Sequence, residues 1–467
     1  MTRYQSAVSQ AKISQELKQS LLGVTQKLKA GFSSSSTHER IIWETSISVI
    51  GPAFFFFTRW VLDHAAKIDL KKLYFLSRDG EIFLKIVQVI KRQADFNIEC
   101  RYLYGSRHLW LLASLEDFGD KELKWIFSDW WYPITVRSVC KRLGMDPEGV
   151  KDSLLSAGFP PKTWDQILSF GAKQRLKRTL KEPKFKSIIV DHLQATYANT
   201  LGYLVQEGLA DGKASGVVDI GWRGKPQLSL RRILNRGGIV PGQGLKGFYF
   251  GLTEGKEVYP GDQLFSFLFD LSRSLQRFQL RNNHLYEAFA ASQEGRLLNF
   301  CREDEKFYPV LDPCSARSLI QWGLPLQQKG ILAFSEEFSR VYSLESLNWD
   351  EACKILETTL GMFISAPSMD EASVYGSFPL DGELTQSKTS EIAPIVSRRQ
   401  FWSLCFNLKN FNLFWVQGSL QRSKLFFEER IWNSVLFVLQ VCFYGLVVAN
   451  YKLRFSCSEK NRHFKTV

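Results

Sequence analysis

The chain has 467 residues, 45% of them hydrophobic, and carries 60 Lys and Arg against 47 Asp and Glu, a formal net charge of +13. That length and apolar content exclude a disordered or fibrous chain and allow two or three domains. The charge points to an anionic partner (nucleic acid, acidic lipid or a phosphorylated substrate) without choosing among them. Eight cysteines form no Cys-x-x-Cys pair and no cluster with the six histidines. This argues against a zinc site or a disulfide framework and for a reducing compartment, with the cytoplasm the expected location.

Residues 1–36 are expected to form an N-terminal amphipathic helix and a linker. The opening "MTRYQSAVSQAKISQELKQSLLGVTQKLKA" lacks the apolar core of a secretory signal and places Val8, Ile13, Leu17, Leu21 and Val24 near one face of a cationic helix. That face is expected to pack on the protein or on a partner helix. "GFSSSSTHER", residues 31–40, reads as the linker-like break.

An α/β domain is expected over 37–300. The apolar segment "SISVIGPAFFFFTRWVLDHAA" leads into "KKLYFLSRDGEIFLKIV", residues 71–87. There the run Leu73 to Leu76 has the composition of a strand buried on both faces, and Ile82, Phe83, Ile86 and Val87 have the spacing of an amphipathic helix. Ser77, Arg78, Asp79 and Gly80 therefore occupy a strand-to-helix turn. Two readings are open: an ordinary turn with Gly80 giving freedom and Asp79 capping the helix, or an anion-holding turn. "CRYLYGSR", residues 100–107, is a second strand that ends in Ser106 and Arg107, with room for one helix between the two.

From about 109 to 210 the pattern turns helical and basic, with Trp130 and Trp131 near its start, as an inserted helical cap would. Inside it, residues 135–159 pair two helices across a Leu-Gly turn, as a helix-turn-helix does. That rival predicts DNA binding through Lys141 and Arg142, but it leaves the strand-end turns unexplained, and nucleic acid is not the expected partner. The sheet resumes in "KASGVVDIGWRGKPQLSLRRIL": Asp219 ends a strand, and Gly221, Trp222, Arg223, Gly224 and Lys225 turn into a helix bearing Leu228, Leu230 and Ile233. "LKGFYFGL" is a further strand. Residues 301–430 are expected to be mainly helical, and 431–467 an apolar helix with a basic tail. Within that tail "SVLFVLQVCFYGLVVAN", residues 434–450, is about 17 residues long, the lower limit of a bilayer span and equally suited to a buried or interfacial helix.

An acid at a strand end accepts hydrogen bonds from sugar hydroxyls, and N–H groups of a glycine-containing turn enclose a phosphate. Asp219 with the 221–225 turn suits a ribose phosphate, while Arg78 and Arg107 suit a second anionic group opposite it. Phosphoribosyl pyrophosphate has that shape. The 221–225 turn is not a Walker loop, since Pro226 stands where Ser or Thr should be, and it lacks the third glycine of a dinucleotide fingerprint. Gly221 and Gly224 alternatively only shape a turn, and Trp222 only packs.

Taken in order, "LYFLSRDG", "YLYGSR", "VVDIGWRGKPQLSL" and "GFYFGL" resemble the module of bacterial surface-polysaccharide clusters that is often described as a haloacid-dehalogenase-type hydrolase and is understood to act as a polysaccharide phosphoribosyltransferase. The resemblance covers about residues 40–300. It implies a Rossmann-like, phosphoribosyltransferase-like parallel sheet with a helical cap insertion and a mainly helical C-terminal region. It also implies a donor, phosphoribosyl pyrophosphate, used with Mg2+ and a saccharide acceptor, possible work at a membrane surface or in a polysaccharide assembly, and a cytoplasmic site associated with the inner face of the membrane. Val218 and Asp219 fall where that pattern has two acids, and Arg223-Gly224 where it has Thr-Gly, so one acid and the threonine are absent.

The roles implied are catalytic for Asp79, Arg78 and Arg107. Ser77, Gly80, Ser106, Asp219, Gly221, Trp222, Arg223, Gly224 and Lys225 would contact substrate. No residue binds the metal directly, Asp79 reaching it through water. As a hydrolase the chain has Ser77 at the nucleophile's position and no base to activate it. A relative of such hydrolases and a non-catalytic scaffold remain the alternatives.

Overall fold

The computed structural model describes residues 2–127, 134–241, 244–253, 255–274, 277–380, 390–406 and 413–432. At its centre is a parallel sheet of five strands: β1 (Lys72–Leu76), β2 (Glu99–Leu103), β3 (Ser215–Asp219), β4 (Lys246–Leu252) and β5 (Gln263–Asp270), in the order β2-β1-β3-β4-β5. All five residues of β1 and of β3 are buried, whereas β2 and β5, at the edges, are partly open. Strands covered on both faces lose the alternation of apolar and polar residues, which is why "KLYFL" and "GVVD" read as unbroken runs. The fold is mixed α/β with a parallel sheet, as the sequence implied.

Ahead of the sheet lie α1 (Arg3–Gln10), α2 (Gln15–Ala30), α3 (Thr37–Thr45) and α4 (Gly51–Lys67), the last two joined through a π-helical turn at Ser46–Ile50. The expected single N-terminal helix is thus two helices. The chain leaves the helical conformation at Ala11, and the Ser14 amide and hydroxyl bond Glu351 at 3.0 and 2.7 Å, a contact that no local pattern reveals. The apolar face does pack on the protein: Val8, Leu17, Leu21 and Val24 join the main core. The segment Thr37–Lys67 is long and apolar enough by composition to cross a membrane, but 89% of its most apolar window is buried inside the protein. Phe54 and Phe57 of α4 meet Phe83 and Phe250, and Phe55 and Phe56 meet Phe338, so the helix is apolar all round because it is surrounded.

Helix α5 (Gly80–Ile90) links β1 to β2. Between β2 and β3 run α6 (Arg107–Ala113), α7 (Asp120–Ile126), α8 (Val136–Arg142), α9 (Lys151–Ser156), α10 (Phe170–Lys181) and α11 (Pro183–Gln206), and no strand is present there among the described residues. Several of these helices close on a core of their own, including Leu123, Val139, Trp164 and Leu180. Trp130, Trp131 and residues 434–450 lie outside the described residues.

Helix α12 (Lys225–Arg236) follows β3, and α13 (Asn283–Phe289) follows β5. The expected boundary at 300 falls inside β6 (Arg296–Glu303), which pairs with β7 (Lys306–Asp312) as an antiparallel hairpin. Asp304 and Glu305 both take positive φ (46° and 67°), a two-residue turn made without the glycine that normally announces it. The hairpin clips onto α11: Tyr203 stacks on Phe300 at 4.2 Å, and Asn199 Nδ2 donates to the Phe300 carbonyl. Beyond it the chain is mainly helical, with α14 (Arg317–Trp322), α15 (Leu324–Val341), α16 (Trp349–Ser365) and α17 (Met369–Gly376).

Candidate functional site

From β1 the chain goes to β2 on one side, and after β3 it goes to β4 and β5 on the other. The connections therefore part company between β1 and β3, and in open α/β sheets the carboxyl ends of the strands at such a point are where the ligand crevice lies. Its floor is formed by the two turns singled out in the sequence, Ser77 to Gly80 and Ile220 to Lys225. Helices α5 and α12 begin there, with their free N–H groups and positive dipole ends at the crevice. Each turn contains a cis peptide bond before a non-proline residue, Ser77–Arg78 and Gly221–Trp222.

In the first turn the residues divide by task. Ser77 Oγ donates to the Gly105 carbonyl at 2.7 Å and accepts from the Gly105 amide at 2.9 Å, so the hydroxyl ties the end of β1 to the end of β2. Gly80 lets α5 press on the strand: a Cβ there would stand 2.5 Å from the Phe75 carbonyl carbon. Asp79 occupies the position before α5 but makes no capping bond, so the ordinary-cap reading does not describe it. As a whole residue Asp79 is partly buried. Arg78 has a buried Nη1 without a hydrogen-bond partner. Ser106 is a genuine cap, accepting from the Leu109 amide at 3.1 Å at the start of α6, where Arg107 stands exposed.

In the second turn Gly221 (φ 153°) and Gly224 (φ 70°) hold backbone conformations that favour glycine, and a Cβ on Gly221 would lie 2.5 Å from the Gly251 carbonyl oxygen. Trp222 is buried. It stacks on Phe269, and its Nε1 donates to Glu287 Oε1 at 2.9 Å, so it packs and also orients a carboxylate. Arg223 and Lys225 are exposed beside the start of α12.

Three carboxyl groups share the crevice, and their environments push them apart. Burial, then the charges of Asp219 and Glu287, drive Asp79 well above the usual carboxylate range, and Arg78 and Arg107 only partly offset this. Asp219, buried, accepts one bond from the Ile220 amide at 2.9 Å. Burial pushes it up to about 7, against Arg107 and that amide and with help from Glu287. Burial also acts to raise Glu287, but His284, Arg107 and the Trp222 N–H outweigh it and hold the carboxyl low. Near neutral pH, Asp79 and Asp219 thus titrate as a pair short of a full second charge, beside an ionised Glu287.

The sequence reading brought Asp79, Arg78, Arg107 and Asp219 forward, and all four meet electrostatically here. It missed Glu287 and His284, whose Nδ1 lies 3.5 Å from Glu287 Oε2. The visible clue was a histidine with an acid three residues on, in a helix after the last strand. Among the described residues no group of three His, Cys, Asp or Glu could hold a metal ion. As for the helix pair at 135–159, Arg142 is turned inward, donating to the Ile126 carbonyl at 2.5 Å, so the basic pair expected to meet DNA does not present a common face. No family model matches the chain, and no curated protein matches it.

Proposed function

We propose that the chain transfers a 5-phosphoribosyl group from phosphoribosyl pyrophosphate to a hydroxyl of a glycan or lipid-linked saccharide, on a Rossmann-like sheet with α6–α11 as its cap. The observation that carries this reading is the meeting of Asp79, Asp219, Arg78 and Arg107 in one crevice under two helix N-termini. An acid for ribose hydroxyls and cations for two phosphate-bearing ends then lie within reach of one ligand.

In the reaction the bond from the anomeric carbon to pyrophosphate breaks as the acceptor oxygen bonds to that carbon. Asp219 holds the ribose hydroxyls and, when ionised, stabilises positive character on the ring. The turn from Gly221 to Lys225 holds the 5-phosphate. Arg78, with its unpartnered Nη1, and Arg107 take up charge on the departing pyrophosphate. The acceptor's proton passes to the ionised carboxylate of the pair, and Asp79 is that base in the form where the shared proton rests on Asp219.

Magnesium would arrive with the diphosphate, Asp79 being the residue placed to hold it through water, and would supply charge neutralisation for the leaving group. The mutual repulsion of Asp79 and Asp219 supports a cation nearby. The hydrolase alternative is disfavoured by Ser77, whose hydroxyl is engaged with Gly105 on both sides.

The test is calorimetric titration of the full chain with phosphoribosyl pyrophosphate and magnesium, alongside Asp219→Ala and Arg78→Ala. Magnesium-dependent binding that both variants lose supports the donor site. Absence of binding by the folded wild-type protein rejects it in favour of a scaffold.

A further inference from the structure

Away from the crevice, the α6–α11 insertion carries the two most exposed large apolar side chains among the described residues. Phe170 is 78% exposed and Ile167 is 70% exposed, three positions apart. Ser169 caps α10, its Oγ accepting from the Ala172 amide, so Phe170 is fixed at the first turn of a helix and does not sit on a wandering loop. Helix α10 buries Leu176, Thr179 and Leu180. At about 100° per residue the face turned away from them runs through Phe170, Gln174, Lys177, Arg178 and Lys181.

The surroundings are strongly basic. Residues 134–186 hold twelve Lys and Arg against five Asp and Glu, a net of +7 out of +13 for the chain. Some of this charge is answered locally, Lys181 by Asp120 and Lys186 by Asp117. Lys177 and Arg175 instead lie over the rings of Phe127 and Phe159, and neither they nor Lys162 and Arg178 form an ion pair among the described residues.

We propose that this face docks on an anionic membrane surface, with Ile167 and Phe170 entering the boundary between headgroups and acyl chains and Lys162, Lys177 and Arg178 meeting lipid phosphates. The chemistry favours a bilayer over other polyanions. Two protruding side chains offer too little apolar area for a stable protein interface. A nucleic acid would use stacking faces and phosphate contacts and gain nothing from an exposed isoleucine. A bilayer rewards the combination of an apolar tip with uncompensated cations around it. The inference does not depend on the reaction proposed above.

The experiment is co-sedimentation of the full chain with phosphatidylcholine vesicles, with and without a minority of phosphatidylglycerol, at low and high salt. It is run on wild type, on Ile167→Ser with Phe170→Ser, and on Lys177→Gln with Arg178→Gln. Ile167, Phe170 and Arg178 are exposed and Lys177 is partly buried over Phe127, and circular dichroism and melting of each variant establish that the fold is retained. The expected result is salt-sensitive partitioning onto the phosphatidylglycerol vesicles that weakens by about tenfold or more in each double variant. Three results overturn the proposal: no partitioning by the wild type, partitioning unchanged by the Ile167 and Phe170 substitutions, or duplex DNA binding that depends on Lys177 and Arg178 in the absence of vesicle binding.

Discussion

The two ends of β1 lie in the same sheet, yet they treat charge in opposite ways. At the entry, buried Lys72 places its Nζ 2.6 Å from Asp211 Oδ2 and 3.7 Å from Glu99 Oε2, and Arg101 reaches Glu99 as well. There Asp211 sits below the usual carboxylate range because Lys72 and the Lys213 amide outweigh burial, and Glu99 sits below it chiefly through Arg101. At the exit, burial holds Asp79 and Asp219 above that range, with the charge of Glu287 adding to both and that of Asp219 adding to Asp79. A network that finishes its own pairing is a structural device. One that leaves repulsion unrelieved gains free energy when a ligand arrives, and this difference separates a binding crevice from a well-built sheet edge.

The sharpest way to break the comparison is Asp79→Asn. If the exit is chemical, pyrophosphate release in the presence of a saccharide acceptor falls by about 10³-fold, within the range for loss of a general base. Folding should be unharmed, since Asp79 caps nothing. An unchanged rate would make the exit as structural as the entry.

Next in size is Asp219→Asn, read as stability. In the unfolded chain an aspartate titrates near ~4, whereas in the folded chain Asp219 titrates near about 7. Below the lower value both states hold the proton and the residue costs nothing. Between the two values the unfolded chain sheds a proton that the native state keeps, so the wild type loses stability as pH rises, and above the upper value the penalty stays constant. Asparagine has no such penalty. Urea melts should therefore show Asp219→Asn more stable than wild type by up to ~4 kcal/mol near pH ~8 and about equal near pH ~4, even as donor binding is lost.

Lys72→Met tests the entry. It strips Asp211 of its close partner, but Asp211 keeps a third of its exposure and has Lys213 at 4.0 Å, so the expected loss is about 1–2 kcal/mol in urea melts. Donor affinity by calorimetry should not move. A fall in affinity would mean that the two ends of β1 communicate.

How much of this was legible follows from distance along the chain. β1, β3 and β4 were readable because strands buried on both faces are unbroken apolar runs, and the two turns were readable because polar residues interrupt such runs. The edge strand β5 and the β6–β7 hairpin were missed. The first is only partly buried, and the second turns on Asp304-Glu305 without glycine. The break between α1 and α2 depends on Glu351, 337 residues away from Ser14. That Ser77 would tie down Gly105, and that Asp79 would face Asp219, both depend on which strands lie beside β1, and that order is a property of the whole sheet.

Glu287 gives the finest test of the exit, because its low pKa is itself a product of neighbours. Trp222 supplies one of the hydrogen bonds that hold the charged form, from 65 residues away, while His284 supplies another and Arg107 acts through its charge. Trp222→Phe keeps an aromatic ring against Phe269 but removes the N–H and part of a buried ring system, so a stability loss of about 1–2 kcal/mol is expected beside any change in affinity. Without that donor the Glu287 carboxyl rises and is left to His284 alone, and its hold on the charge around Arg107 weakens. The expected loss is about tenfold in donor affinity, ~1.4 kcal/mol, which is the scale of one hydrogen bond to a charged group. Glu287→Gln should exceed it. If Trp222→Phe binds donor as tightly as wild type while Glu287→Gln does not, then His284 alone positions the acid and the tryptophan serves packing. If neither variant changes affinity, the third carboxylate belongs with the completed networks at the entry and not with the unrelieved pair beside it.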